Sequence, residues 1–154
     1  MIVISHRGLL DGPDPTTENR PDTIDRAIES GFDVEIDLRL IHGEWWLGHD
    51  QAQYSVSWEW LLLRGDRLWV HTKNTEALCH LNTLDRSPFH RHRTPNLHYF
   101  WHDQDTVTLT SRGFMWAFPS AHTPENAIAV MPEIAHGDLS RALGVCTDWP
   151  RTYM

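Results

Sequence analysis

The sequence predicts an α/β fold, a compact TIM-type (β/α) barrel with seven or eight strands and several helices missing. Three observations predict it. Apolar segments rich in Val, Ile, Trp and Phe alternate with helix signals through the first half of the chain. Titratable residues recur directly after those segments, as they do where parallel barrel strands open into their C-terminal loops. The 154 residues, 40% of them hydrophobic, suffice for one globular domain spanning 1–154 but fall short of the roughly 200 residues or more of a complete barrel. Helices must therefore be missing where strand candidates crowd together in the second half.

The first strand is Ile2 to Ser5. A helix opens at Pro21-Asp22, carries Ile24, Ala27 and Ile28 at i, i+3, i+4 spacing, and closes at Gly31. The second strand is Phe32 to Leu40; Glu44 to Leu47 follows across His42-Gly43 and reads as a hairpin decorating the barrel. Ser57 caps a helix carrying Trp58, Leu61 and Leu62 to Gly65, and Asn74 caps another through Ala77, Leu78 and Leu81, with the strand Leu68 to Thr72 between them. His98 to Trp101, Phe114 to Phe118, Ala127 to Met131 and Val145 to Thr147 bring the barrel strands to seven. Thr108 to Ser111 begins too soon after Trp101 for a parallel crossover of about a dozen residues and is assigned to a loop. Residues 83–96 read as an exposed connection, and His80, His90, His92 and His136 are assigned to surface or loops.

Lys and Arg number 13 against 21 Asp and Glu, a formal charge of -8 that argues against a nucleic-acid backbone or an anionic membrane surface as the main partner. Protonating all 11 histidines on acidification moves that charge toward about +3, so strong pH sensitivity is expected. Cys79 and Cys146 are far apart and belong to no zinc-ligand pattern, which points to a reducing compartment. The N-terminal segment lacks a signal-peptide apolar region, and no apolar run approaches the length needed to cross a bilayer. A cytoplasmic protein without integral membrane association is expected. Eight tryptophans are many for this length: as a set they read as filling a core short of helices, with Trp46, Trp101 and Trp116 the candidates for stacking on a glycerol or sugar headgroup.

Alternation along Phe32 to Leu40 puts Asp33, Glu35, Asp37 and Arg39 on one face against Val34, Ile36, Leu38 and Leu40. Glu35 and Asp37 then become neighbours that repel unless a proton or cation lies between them, and hard cations such as Ca²⁺ or Mg²⁺ take such oxygens. The same pattern also describes an ordinary strand with its polar face in water. His6-Arg7-Gly8 sets an imidazole and a guanidinium where the first strand opens, in the manner of a general base and an anion clamp; alternatively His6 ends its strand on a backbone carbonyl. Thr17-Glu18-Asn19 and Leu47-Gly48-His49-Asp50 repeat the theme, and His102 and Glu133 also terminate strands. Asp148 either orients a catalytic group or bonds locally in the last turn.

In this order, His6-Arg7-Gly8, Glu18-Asn19, the helix end Ala27-Ile28-Glu29-Ser30-Gly31-Phe32-Asp33, Glu35-x-Asp37 and Gly48-His49-Asp50 resemble the glycerophosphodiester phosphodiesterase family. Its relatives include the phosphatidylinositol-specific phospholipases C and sphingomyelinase D type enzymes, which share the barrel. The ordered set lies within the first 50 residues; beyond it the likeness is thinner, although Gly144-Val145-Cys146-Thr147-Asp148-Trp149-Pro150 looks like the family's closing strand. The resemblance implies His6 and His49 as the acid–base pair, Arg7 on the phosphate, and Glu35 and Asp37 as ligands of a divalent metal. It matches Trp69-Val70-His71-Thr72-Lys73 to a segment in which the family carries a metal-binding Glu followed by a Lys two residues on. Here Lys73 keeps the phosphate charge, while His71 replaces a negative oxygen by a neutral nitrogen. Glu18 is the candidate for the missing carboxylate.

The cofactor so implied is a divalent cation, Mg or Ca foremost and Mn or Zn after them; the substrate is a small glycerophosphodiester-like phosphodiester. The expected function is a metal-dependent phosphodiesterase that uses His acid–base catalysis and passes through a cyclic phosphodiester. Two alternatives stand beside it. One is a non-catalytic phosphate-ester binding module derived from this family, which needs Arg7 and Lys73 but no acid–base pair. The other is a metal-independent lyase that stops at the cyclic product. Barrel flanks left bare by missing helices would be covered in a homodimer.

Overall fold

In this computed structural model, which describes residues 1–87, 97–119, 122–135 and 137–154, the alternating segments form ten strands. They are β1 (Ile2–His6), β2 (Asp33–Ile41), β3 (Glu44–Leu47), β4 (Tyr54–Val56), β5 (Leu68–Thr72), β6 (His98–Phe100), β7 (Val107–Leu109), β8 (Met115–Ala117), β9 (Ala127–Val130) and β10 (Gly144–Thr147). In space β6, β5, β2, β1, β10, β9 and β8 lie side by side and parallel, and β7 flanks β8 antiparallel. The meander β3–β4 extends the C-terminal half of β2. His90, His92 and His136 lie outside the described residues.

The helices are α1 (Pro21–Glu29), α2 (Trp58–Arg64), α3 (Thr75–Arg86) and the single turn α4 (Pro132–Ala135). Their starts follow from local chemistry. Pro21 opens α1 with its fixed φ, the Ser57 hydroxyl accepts from the Trp60 N–H, and the Asn74 side chain accepts from the Ala77 N–H. No described helix is long and apolar enough to cross a membrane.

The expected TIM-type barrel is corrected: the molecule is a mixed, mostly stranded sheet curled into a half-barrel, without a helix after each strand. Helices α1, α2 and α3 cover the outer face of β2, β5 and β6. Among the described residues none lies between β6 and β8 or between β8 and β9. The sheet also fails to close, because its edge strands β6 and β7 do not pair with each other. The turn after β7 bridges to β6, where the Ser111 N–H donates to the Tyr99 carbonyl at 2.8 Å and the Tyr99 N–H to the Ser111 hydroxyl at 3.1 Å. The assignment of Thr108 to Ser111 to a loop is corrected for a related reason. It presumed parallel pairing, whereas an antiparallel partner for β8 needs only the tight turn in which the Gly113 N–H bonds the Thr110 carbonyl.

Two apolar layers result. Outside, Val34, Ile36, Leu38 and Val70 pack against the helices through Ile24, Leu61 and Leu81. Inside, Ile4, Trp69, Phe100, Trp116, Ile128 and Cys146 fill the curl, with Trp116 stacked 5.9 Å from Trp69 and tilted against Phe100 at 4.6 Å. Trp116 is thus core rather than a headgroup platform; Trp46 is half-buried and Trp101 is exposed.

At the N-terminal end of the parallel strands the His98 ring stacks on Trp69 at 4.0 Å, and its buried Nδ1 has no hydrogen-bond partner. Burial, aided by the Arg112 charge, pushes its pKa from 6.5 down to about 4. Between those values the unfolded chain holds a proton that the folded chain refuses. The His98 contribution is therefore intact above pH 6.5 and is lost as pH falls toward about 4. The ring is only half-buried, so solvent screening reduces the expected loss to about 1–2 kcal/mol. His98→Phe, which keeps the stack, should flatten the Tm-against-pH curve in this window; an unchanged slope would contradict the assignment.

Candidate active site

Parallel strands deliver their C-terminal ends to one rim, and at this rim the inward-facing positions turn polar. Register sets His6 of β1 beside Glu35 of β2, and Asp37 of β2 beside His71 of β5. The i, i+2 carboxylates of the middle strand are thereby flanked by an imidazole on each side. His6 Nε2 lies 3.8 Å from Glu35 Oε2; His71 Nδ1 lies 3.4 Å from Asp37 Oδ1 and 3.9 Å from Glu35 Oε1. Glu35 is 2% and Asp37 0% exposed, so the polar face of β2 looks into the curl and not into water.

The chain leaving β1 is bent to serve this cluster. Arg7 has φ 54°, a left-handed conformation that a non-glycine residue holds only where its surroundings impose it, at a cost of about 1–3 kcal/mol. The bend brings Arg7 Nε to 2.9 Å from Asp37 Oδ2, an ion pair too oblique for a hydrogen bond, while Nη1 donates to Glu18 at 3.0 Å. Gly8 follows at φ 83°, where a Cβ would stand 2.9 Å from the Ile24 backbone nitrogen. Asn19, fully buried at φ 60°, grips Asp37 twice: its Nδ2 donates to Asp37 Oδ2 at 2.8 Å and its Oδ1 accepts from the Asp37 N–H at 3.0 Å.

Burial and the neighbouring Asp37 charge push the Glu35 carboxyl above its ordinary pKa. For Asp37 burial acts in the same direction but is outweighed by His71, Arg7 and Asn19, which hold it well below the usual carboxylate range. Burial of His6 is likewise outweighed, by the bond from its Nδ1 to Asp148 Oδ1 at 2.7 Å and by the Glu35 charge, and its pKa rises. Two carboxylate oxygens, Glu35 Oε2 and Asp37 Oδ1, remain buried without a hydrogen bond. His71 Nε2 donates to the His102 carbonyl at 3.0 Å, and because a carbonyl only accepts, Nδ1 faces the carboxylates either with a second N–H, when the ring is protonated, or with a bare lone pair, when it is neutral. Lone pairs facing one another in a buried site repel unless a cation or proton joins them. Glu35, Asp37 and His71 therefore fit a divalent ion, and among the described residues they are the group whose ligand atoms lie within 4.8 Å of one another.

Six of the eight residues singled out in the sequence converge here: His6, Arg7, Glu35, Asp37, His71 and Lys73, whose Nζ lies 3.9 Å from Asp37 Oδ1. Glu18 stands nearby but spends its carboxylate on Arg7 rather than joining the three ligand positions. His49 stands apart from the cluster. The Gly48 N–H holds its loop to the Asp37 carbonyl at 3.0 Å, yet the half-exposed His49 ring bonds Asp50 at 2.7 Å. Asp148, for which the sequence left two readings, orients His6. Glu133 fixes the turn that carries Asp148 by accepting from the Thr147 hydroxyl at 2.9 Å and the Asp148 N–H at 3.3 Å. The clamping role of Asn19 had no sequence signal beyond its place next to Glu18. A cleft of about 560 Å³ lined by the loop after β1 and by α1, with Asp11, Asp14, Arg26 and Arg151 in its wall, contains none of the clustered groups.

Compared with protein-family models, curated proteins and solved structures, the chain finds no match in any of the three.

Proposed function

We propose that this protein is a phosphodiesterase of the glycerophosphodiester phosphodiesterase type, acting on a small glycerophosphodiester-like substrate with a divalent cation at Glu35, Asp37 and His71. The observation that carries the reading is the buried His6–Asp148 pair, whose second imidazole nitrogen faces Glu35 while Arg7 stands next in the chain. An imidazole held by a carboxylate through one nitrogen is an acid–base group with its other nitrogen aimed at the reaction. The ordered motifs of the first 50 residues support the same reading.

In this reading His6 Nε2 takes the proton of a substrate hydroxyl as that oxygen bonds to phosphorus, and Asp148 steadies the imidazolium that forms. The bond from phosphorus to the leaving alcohol breaks, and a second acid protonates the departing oxygen. His49 is assigned that role, which requires its ring to leave Asp50 and turn inward. Water then opens the cyclic diester to a phosphomonoester as the two histidines exchange roles. Arg7 and Lys73 offset the phosphoryl charge. A bound cation would supply Lewis-acid polarisation of a phosphoryl oxygen.

The pairing of His49 with Asp50 favours a second reading, a phosphate-ester binding module that uses Arg7 and Lys73 without turnover. Release of alcohol from a glycerophosphodiester by wild type, His6→Gln and His49→Ala separates the two. The enzyme reading expects turnover in wild type and its loss in both variants. Saturable binding of glycerol phosphate with no turnover in any of the three would support the module.

A further inference from the structure

We infer that the Glu35–Asp37–His71 centre is a mixed nitrogen and oxygen site selective for Zn²⁺ over the hard ions Mg²⁺ and Ca²⁺. The inference rests on the reading of this cluster as a metal centre, and it reverses the order of metals that the family resemblance implies.

The nitrogen is prepared in advance. His71 Nε2–H is committed to the His102 carbonyl, and the His102 ring in turn bonds the Asp105 carbonyl, so the segment that fixes His71 is itself held. The His71 ring lies over Phe100 with centroids 5.2 Å apart and planes 13° from parallel, which fixes its plane. Nδ1 is therefore presented toward Asp37 and Glu35. Donation of the other ring N–H to a backbone carbonyl is the arrangement that orients histidine ligands of zinc.

Oxygen donors are correspondingly few. Ca²⁺ takes six to eight oxygens, and Mg²⁺ gains little from a neutral imidazole. The buried cluster offers two carboxylates, each with one oxygen lacking a hydrogen bond. Asp37 Oδ2 is occupied by Asn19 and faces Arg7, and Glu18 is occupied by Arg7. Arg7 and Lys73 also offset the negative charge on which hard-ion binding depends. Zn²⁺ is satisfied by three protein ligands of N and O type and keeps a fourth position open.

The test is calorimetric titration of metal-stripped protein with ZnCl₂, MgCl₂ and CaCl₂, with no substrate present. Wild type should bind one Zn²⁺ per chain at least about 100-fold more tightly than either hard ion. His71→Ala should weaken that site by about 100-fold or more and leave the Mg²⁺ and Ca²⁺ titrations unchanged, while His71→Glu should raise affinity for the hard ions. Should His71→Ala fold poorly, Co²⁺ absorption gives a second readout: wild type should show the visible bands of a four- or five-coordinate site, and His71→Gln should lose them. Absence of one-to-one Zn²⁺ binding, Mg²⁺ or Ca²⁺ binding as tight as Zn²⁺, or a Zn²⁺ site that survives His71→Ala would each overturn the inference. Because no turnover is read, loss of the phosphodiesterase reading leaves this result intact, and phosphodiester cleavage by a protein that prefers Mg²⁺ overturns this inference alone.

Discussion

His6→Gln is expected to lower phosphodiester turnover by about 10³-fold while the protein stays folded. Glutamine keeps an N–H donor for the carboxylate of Asp148, which is 3% exposed and loses its hydrogen-bond donor if the ring is simply deleted. What glutamine cannot do is take a proton at the atom that faces Glu35. Asp148→Asn should cost about 10²-fold, because an amide N–H turned toward His6 Nδ1 favours the tautomer protonated on Nε2 and removes the lone pair needed there. Steady-state kinetics on a glycerophosphodiester, with folding checked by circular dichroism, read both effects. Activity of His6→Gln within tenfold of wild type would assign the chemistry to another group.

Arg7→Met is expected to destabilise the metal-free protein by about 3–5 kcal/mol, lowering Tm by roughly 6–20 °C. Asp37 is fully buried and keeps its charge through Arg7, His71 and Asn19; removing the guanidinium leaves a buried carboxylate with less to offset it. The double variant Arg7→Met/Asp37→Asn should recover part of the loss, a coupling of about 1–3 kcal/mol. Glu35→Gln should act in the opposite direction and raise Tm, since burial and the Asp37 charge already disfavour the ionised Glu35 carboxylate. Thermal unfolding at pH 7 in chelator checks all three. A loss below 1 kcal/mol in Arg7→Met, or strictly additive variants, would show that Asp37 does not depend on Arg7.

What the sequence could display follows from the range of the interactions. Helix starts at Pro21, Ser57 and Asn74 depend on residues within one turn, and all three lie where the sequence predicts. Alternation along β2 sorted Glu35 and Asp37 from Ile36 and Leu38 correctly, but it carries no information on whether the polar face meets water or an interior. That depends on how far the sheet curls, and so on crossover helices that are missing between β6 and β9 among the described residues. The same long-range dependence hid the antiparallel pairing of β7.

The site divides along the same line. His6, Glu35, Asp37, His71 and Lys73 sit on strands or at their ends, and parallel register brings them together without further instruction. His49 sits on a loop, where the adjacent Asp50 captures its ring. Asp148 meets His6 across a separation of 142 residues that no local pattern records. Glu18 matched a motif, yet its carboxylate answers the nearest charge, which is Arg7.

The most direct test of the central claim is a phosphorus NMR time course with a mixture of glycerophosphodiesters, with divalent metal or chelator, comparing wild type with His6→Gln. Conversion of a diester to a phosphomonoester, or first to a cyclic diester, by wild type with metal and not by the variant is the expected result. Survival of every diester, with signals that only shift or broaden on binding, would contradict it and identify this half-barrel as a phosphate-ester receptor.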